Sequence, residues 1–202
     1  MVHAPTRLLL VRHGQSTWNA AGRWQGQADP PLSALGEAQA LAAADECPPV
    51  DHVVASDLVR ARQTAEIMAA ARRFGPVTTD HRLRERDSGE WTGLTRDQIE
   101  RAWPGWLAAR RWPSNFEDAG DVAARVSDAL HALHATHAGA TVLVVVHGGV
   151  VRALERSIGA TGDVPKNLGG RWFEVDGQGV VAGDVVSLVD HTQVTVTAPD
   201  SL

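Results

Sequence analysis

The sequence predicts a single α/β domain, a mainly parallel sheet held between two helical layers as a three-layer α/β/α sandwich. Three observations carry that expectation. Short apolar runs rich in β-branched residues alternate with longer segments whose apolar spacing is near the helical period. Several runs end on a polar cluster rather than on a plain turn. Neither a low-complexity linker nor a fixed-period repeat divides the 202 residues, a length suited to one domain with a sizeable core.

Taken in order, the first strand is Arg7–Val11 in "RLLLV". A helix follows over Ser33–Asp45, where Ser33 and Glu37 stand one residue wider apart than a strict capping box. His52–Ala55 reads as the second strand, and Asp57–Arg72 as a helix that Asp57 is placed to cap. Val77–Thr79 reads as a third buried strand, and Thr95–Arg101 as a short helix. Asp121–His137 is the long central helix, with Asp121 as its cap, and it leads into the strand "TVLVVV" over Thr141–Val146. Strands at Arg171–Val175 and Asp184–Val189 extend the sheet edge. The tail from Thr192 to Leu202 has no packing pattern and is expected to be mobile, which leaves 1–191 as the domain.

Composition narrows the classes. With 44% hydrophobic and 21% charged residues, the chain is ordinary for a globular protein and argues against disorder. A formal net charge of -5 excludes a surface-wide nucleic-acid footprint, so no nucleic-acid partner is expected. Any anion site must be a local gathering of arginines. Cys47 is the single cysteine; it cannot form an internal disulfide and reads as a small hydrophobe near a helix end, which fits a reducing cytoplasm. Leu8–Val11 is far too short for a signal-peptide core or a membrane span, and Arg12 follows at once. A cytoplasmic protein with no membrane partner is expected.

In open α/β sheets, ligands bind beyond the carboxyl ends of the strands. That rule brings Arg12-His13, the stretch from Ser56 to Arg60, and His147-Gly148-Gly149 to one edge. Arg60 falls in the first turn of its helix, where backbone N–H groups also favour an anion. Glycine after His147 lets a ligand approach the backbone. The loop "LRERDSGEWTG" adds carboxylates between these clusters.

Jointly these motifs resemble the histidine phosphatase superfamily, whose fold is phosphoglycerate mutase-like, over nearly all the chain from Leu8 to about Asp190. The resemblance matches the Arg-His-Gly pattern and its trailing asparagine to Arg12, His13, Gly14 and Asn19. It matches the helix motif to Ser56 through Ala65, with Arg60 as phosphate ligand. It puts the acid at Glu85, ahead of Gly89, Trp91 and Gly93, and the second histidine at His147. It also implies that Gln25 and Gly26 border the substrate, so that the binding set is Arg12, Asn19, Gln25, Gly26, Arg60, His147 and Gly148. The implied activity is a phosphomonoesterase that acts on a small phosphorylated metabolite through a covalent phosphohistidine, without metal or other cofactor. A cofactor-dependent phosphoglycerate mutase and a non-catalytic phosphate-binding protein are the rival readings. Dimers are frequent in the family, which implies a homodimer as one assembly open to this chain.

The residue types suit that chemistry. Phosphoryl transfer through the protein needs a nucleophile, neutralisation of the equatorial oxygens and a proton for the leaving alkoxide. His13 would attack through one ring nitrogen while a backbone carbonyl holds the other N–H. Arg12 and Arg60 offer planar forks for phosphate, His147 a third donor and Asn19 an amide N–H. Glu85 would protonate the leaving oxygen, with Asp87 and Glu90 as nearby rivals for that role. His131, His134 and His137 are spaced as a drifting helical stripe and read as a solvated face rather than a zinc site. His52, His81 and His191 show no usable pattern. Trp91, Trp103, Trp106, Trp112 and Phe116 read as core, with one or two walling the substrate. The stretch "NFEDAGDVAARV" departs from the family, because it lacks the serine of the usual Gly-Glu-Ser step before the central helix.

Overall fold

A computed structural model describes residues 4–190. The expected mobile tail, and His191 with it, lies outside them. In chain order the elements are β1 (Thr6–Arg12), α1 (Thr17–Ala20), α2 (Ala34–Glu46), β2 (His52–Ala55), α3 (Val59–Arg72) and β3 (Val77–Thr79). Then come α4 (Arg96–Ala102), α5 (Ala119–Thr136), β4 (Thr141–Val146), α6 (Gly148–Ser157), β5 (Gly169–Asp176) and β6 (Gly179–Ser187). They build one sheet in the order β3-β2-β4-β1-β5-β6. Strands β1 to β4 run parallel, and β5 and β6 join antiparallel at one edge.

Period-two alternation divides the core. Leu8 and Leu10 of β1, with Val142, Val144 and Val146 of β4, pack against Val122, Val126 and Leu130 of α5 and Val150 and Leu154 of α6. The intervening Leu9, Val11, Leu143 and Val145 face the other way, onto Ala43 and Ala44 of α2 and Ala61, Ala65 and Met68 of α3. Both faces of the central strands are thus covered, which is why they read as continuous apolar runs. A slip of one residue would turn each set to the wrong layer. A third cluster holds Trp91, Ile99, Leu107 and Phe116, flanked by Trp24, Trp103, Trp106 and Trp112. No helix among the described residues is long and apolar enough to cross a membrane.

Several local expectations need correction. Val77–Thr79 is a strand, but it lies at the sheet edge and is half-buried to exposed, since no strand among the described residues pairs beyond it. Strand β6 begins at Gly179, earlier than Asp184, because a tight turn returns the chain directly from β5. Helix α6 has no counterpart in the sequence reading: its paired glycines disfavour a helix at its first turn, although Val150, Val151 and Leu154 beyond them keep a helical apolar spacing.

Capping also differs. Ser33 does cap α2, accepting from Gly36 N–H. Asp57 does not cap α3; its carboxylate pairs with Arg84 at 2.6 Å, and Asp29 accepts from Val59 N–H instead. Asp118, not Asp121, caps α5 through Gly120 N–H, so the helix starts earlier than expected.

Register places the polar clusters. Arg12 lies level with Val146, and His13 N–H donates to Val146 O at 3.0 Å. On the other side of β4, Ser56 N–H donates to Val145 O at 2.9 Å. Three strands therefore release His13, Ser56 and His147 side by side.

Candidate active site

His13 is 2% exposed, and its two ring nitrogens have unambiguous neighbours. Nδ1 lies 2.6 Å from Gly14 O, which can only accept, so Nδ1 carries the proton. Nε2 lies 3.2 Å from Arg60 Nε–H, which can only donate, so Nε2 carries the lone pair. Gly14 is held in turn: its N–H donates to Thr64 Oγ1 at 3.0 Å, and a Cβ there would stand 2.5 Å from Gly36 O.

Arg60 is fully buried. Its Nη groups donate to Ala28 O at 2.8 Å and Gly26 O at 2.9 Å, so all three acceptors of this cation are neutral groups. Arg12 is buried as well and donates to Pro165 O at 3.1 Å. Burial pulls both guanidinium groups down to about 10, with the Glu85 charge opposing that effect, so both remain cations at neutral pH. His13 and His147 are pushed well below the usual histidine value, first by burial and then by Arg60. Their rings meet edge-on with centroids 5.1 Å apart, and neither nitrogen of the buried His147 has a hydrogen-bond partner. Two buried cations beside two neutral imidazoles make an electropositive cluster suited to a multivalent anion.

The carboxylate whose charge acts on both Arg12 and Arg60 is that of Glu85. Its Oε2 accepts from Gly149 N–H at 3.3 Å, at the start of α6, and its Oε1 from Arg86 N–H at 2.8 Å. A Cβ on Gly149 would stand 2.4 Å from Oε1, so glycine makes room for the carboxylate. The two rivals point elsewhere. Asp87 accepts from Gly89 N–H within its own loop, and Glu90 is exposed.

The remaining sequence candidates lie around this centre. Gly26 has φ +50°, passes its carbonyl to Arg60, and has no space for a Cβ, which would fall 2.7 Å from Ser88 N. Gln25 Oε1 accepts from Ser16 Oγ at 2.6 Å. Asn19 Oδ1 accepts from Ser16 N–H at 3.1 Å, which closes a capping box at the start of α1. Gly148 packs beside Arg12, its absent Cβ position lying 3.5 Å from Arg12 Cδ.

The family profile described as histidine phosphatase superfamily (branch 1) matches residues 8–165. The chain belongs to the histidine phosphatase superfamily. Among members of this superfamily it is similar to the glucosyl-3-phosphoglycerate phosphatase of Mycolicibacterium vanbaalenii. Identity there is 38% over 204 residues, covering 91% of this chain and 90% of that protein. It is also 38% identical to the metal-independent phosphoserine phosphatase of Arabidopsis thaliana, over 74% of this chain and 67% of that one. Solved structures agree. A mycobacterial glucosyl-3-phosphoglycerate phosphatase in complex with VO3 is similar at TM-score 0.75 and 32% identity, covering 90% of this chain and 98% of that one. YhfR of Bacillus stearothermophilus is similar at TM-score 0.80 and 30% identity, covering 92% and 98%.

In this histidine phosphatase the structure also shows residues that the sequence reading passed over. Asn167 donates to His13 O at 2.9 Å from a loop without a motif. Thr64 lies inside the helix motif yet escaped notice; besides Gly14 it binds Arg60 O at 2.8 Å. Arg86 stacks over Phe116 at 4.5 Å and Trp112 at 5.6 Å, and only its place after Glu85 hinted at it. Trp24 and Trp91 meet edge-on at 5.4 Å, and Trp112 stacks on Phe116 at 5.0 Å, so these aromatics pack chiefly on one another. The three helix histidines diverge. His131 bonds its own helix at Ser127, His134 bonds Thr6 at 2.9 Å, and His137 lies against His52 at 4.0 Å. The last two are half-buried rather than solvated. Among the described residues no three His, Cys, Asp or Glu side chains gather as a metal site.

Proposed function

We propose that this chain is a phosphomonoesterase that hydrolyses a small phosphorylated metabolite through phosphohistidine at His13 Nε2. One observation carries the reading: partners that can only accept or only donate fix the His13 tautomer and leave its lone pair on the nitrogen facing Arg60. The names of the similar proteins, phosphatases for glucosyl-3-phosphoglycerate and phosphoserine, support that substrate class.

The arriving phosphate draws the guanidinium groups of Arg12 and Arg60 to its oxygens, which releases the Nε2 lone pair. Nε2 attacks phosphorus, the ester P–O bond breaks, and its electron pair leaves with the alcohol oxygen, which takes a proton from Glu85. Water then attacks the phosphohistidine while the Glu85 carboxylate accepts its proton. The P–N bond returns its pair to Nε2, and inorganic phosphate departs. His147 and Asn19 donate to the transferring group, and Gln25, Gly26 and Gly148 border it.

A panel of phosphorylated metabolites, glucosyl-3-phosphoglycerate and phosphoserine among them, tests the substrate class. Rapid quenching during turnover with a 32P-labelled ester tests the intermediate. The expected species is a labelled protein stable to alkali and labile to acid. Label that resists acid would point to a hydroxyl ester and overturn the mechanism.

A further inference from the structure

Segment 82–87 carries the candidate acid, yet beyond a single turn of 3₁₀ helix at His81–Leu83 it has no regular structure to hold it. One side chain from α5 does so instead. Arg125 uses all five of its N–H groups. Nη1 donates to the carbonyls of Arg82 and Arg84, both at 2.6 Å, and Nη2 to that of Glu85 at 3.1 Å. Nε and Nη2 grip the two oxygens of Glu117 at 2.8 and 2.9 Å.

Glu117 continues the tie. Its N–H donates to Asp87 O at 3.0 Å, its Oε2 accepts from Asp87 N–H at 3.0 Å, and its carbonyl accepts from Arg86 Nε at 2.5 Å. The pair is mostly shielded, with side-chain exposures of 20% and 19%, so these bonds compete little with water. Glu85 is consequently fixed at both ends. Its main chain hangs from α5 through Arg125, and its carboxylate from α6 through Gly149.

We infer that Arg125, braced by Glu117, is the positioning residue that sets where the Glu85 carboxyl meets the leaving oxygen. The inference rests on the reading of Glu85 as proton donor. A planar five-donor fork is required, since an ammonium at the same place cannot serve three carbonyls and a bidentate carboxylate together.

A misplaced proton donor hurts in proportion to the basicity of the leaving group; a general loss of structure hurts all substrates alike. The experiment compares kcat/KM for an alkyl phosphate such as glycerol 2-phosphate with that for 2,4-dinitrophenyl phosphate, whose leaving group needs no proton. Glu85→Gln is the reference and is expected to lower the alkyl value by about 10²–10⁴-fold and the dinitrophenyl value by less than about tenfold. Arg125→Lys is expected to lower the alkyl value by about 10²-fold and the dinitrophenyl value by less than about threefold, since a displacement near 1 Å can cost that much. Glu117→Gln, which keeps shape and loses one charge, should show the same pattern more weakly and serves if Arg125→Lys does not fold. Equal losses on both substrates, or no loss on either, would overturn the positioning role. A Glu85→Gln variant without leaving-group dependence would overturn the proton-donor assignment itself and this proposal with it.

Discussion

Arg60 Nε–H points at Nε2 of His13 across 3.2 Å, a cation donating to the nitrogen of a neutral imidazole. Because both side chains are buried, the imidazole can neither turn to water nor readily accept a proton beside that charge. The arrangement stores an available lone pair next to a guanidinium that prefers phosphate oxygens.

Replacement of His13 by alanine should therefore remove turnover, by roughly 10⁴-fold or more, because the nitrogen that attacks phosphorus is lost. Arg12 and Arg60 remain, so inorganic phosphate should still bind. Steady-state assay with an alkyl phosphate checks the first point and isothermal titration with phosphate the second. Substantial activity in His13→Ala would refute the covalent route.

Gly149→Ala separates function from folding. Its Cβ would stand 2.4 Å from Glu85 Oε1, the far end of a flexible side chain, so the carboxylate moves and the backbone need not. Thermal stability should stay within about 1 kcal/mol of the parent, while kcat/KM for an alkyl phosphate falls by about 10–10²-fold. A large loss of stability with unchanged kcat/KM would contradict the placement of the carboxylate.

Stability should depend on pH with a definite sign. His13 and His147 titrate well below 6.5 in the folded protein and near 6.5 when unfolded. As pH falls below 6.5, the unfolded chain binds protons that the folded one refuses, so their contribution is complete above that value and is lost on acidification. The slope should reach about 1.4 kcal/mol per pH unit for each histidine, or about 2.7 for both. Urea unfolding in phosphate-free buffer between pH 7.5 and 5 measures it, and His147→Gln should remove about half. The same shifts place the acid limb of kcat/KM well below pH 6.5; a limb at or above 6.5 would argue against neutral buried histidines.

Hydrolysis rather than mutase transfer is the expected outcome. A mutase must shield phosphohistidine from water while its substrate reorients, which calls for a closing cover. Here the stretch between Leu94 and Thr141 is taken up by α4, the tryptophan-rich segment and α5, whose aromatic side chains pack mainly on one another. With 3-phosphoglycerate and a trace of 2,3-bisphosphoglycerate, inorganic phosphate should appear faster than 2-phosphoglycerate. The reverse order would make the chain a mutase.

By itself the sequence determined the layers and which polar clusters share one edge of the sheet. Apolar runs such as Leu8–Val11 and Val142–Val146 state which stretches are covered on both faces, and the strand-end rule needs nothing more to gather Arg12, His13, Arg60 and His147. Short-range chemistry was legible in part: Ser33 does cap α2, but Asp118 rather than Asp121 caps α5. What tertiary structure alone decided are the bonds between residues distant in the chain. Asp57 leaves its helix for Arg84, Asp29 arrives to serve α3, Asn167 reaches His13, and Arg125 holds the carbonyls around Glu85. Helix α6 was legible only in part, since Val150, Val151 and Leu154 keep a helical apolar face while Gly148 and Gly149 disfavour the first turn, and packing alone shows β4 delivering those glycines beneath Glu85 and Arg12. Periodicity records which side of an element is buried, whereas hydrogen-bond partners depend on distances that exist only once the layers have packed.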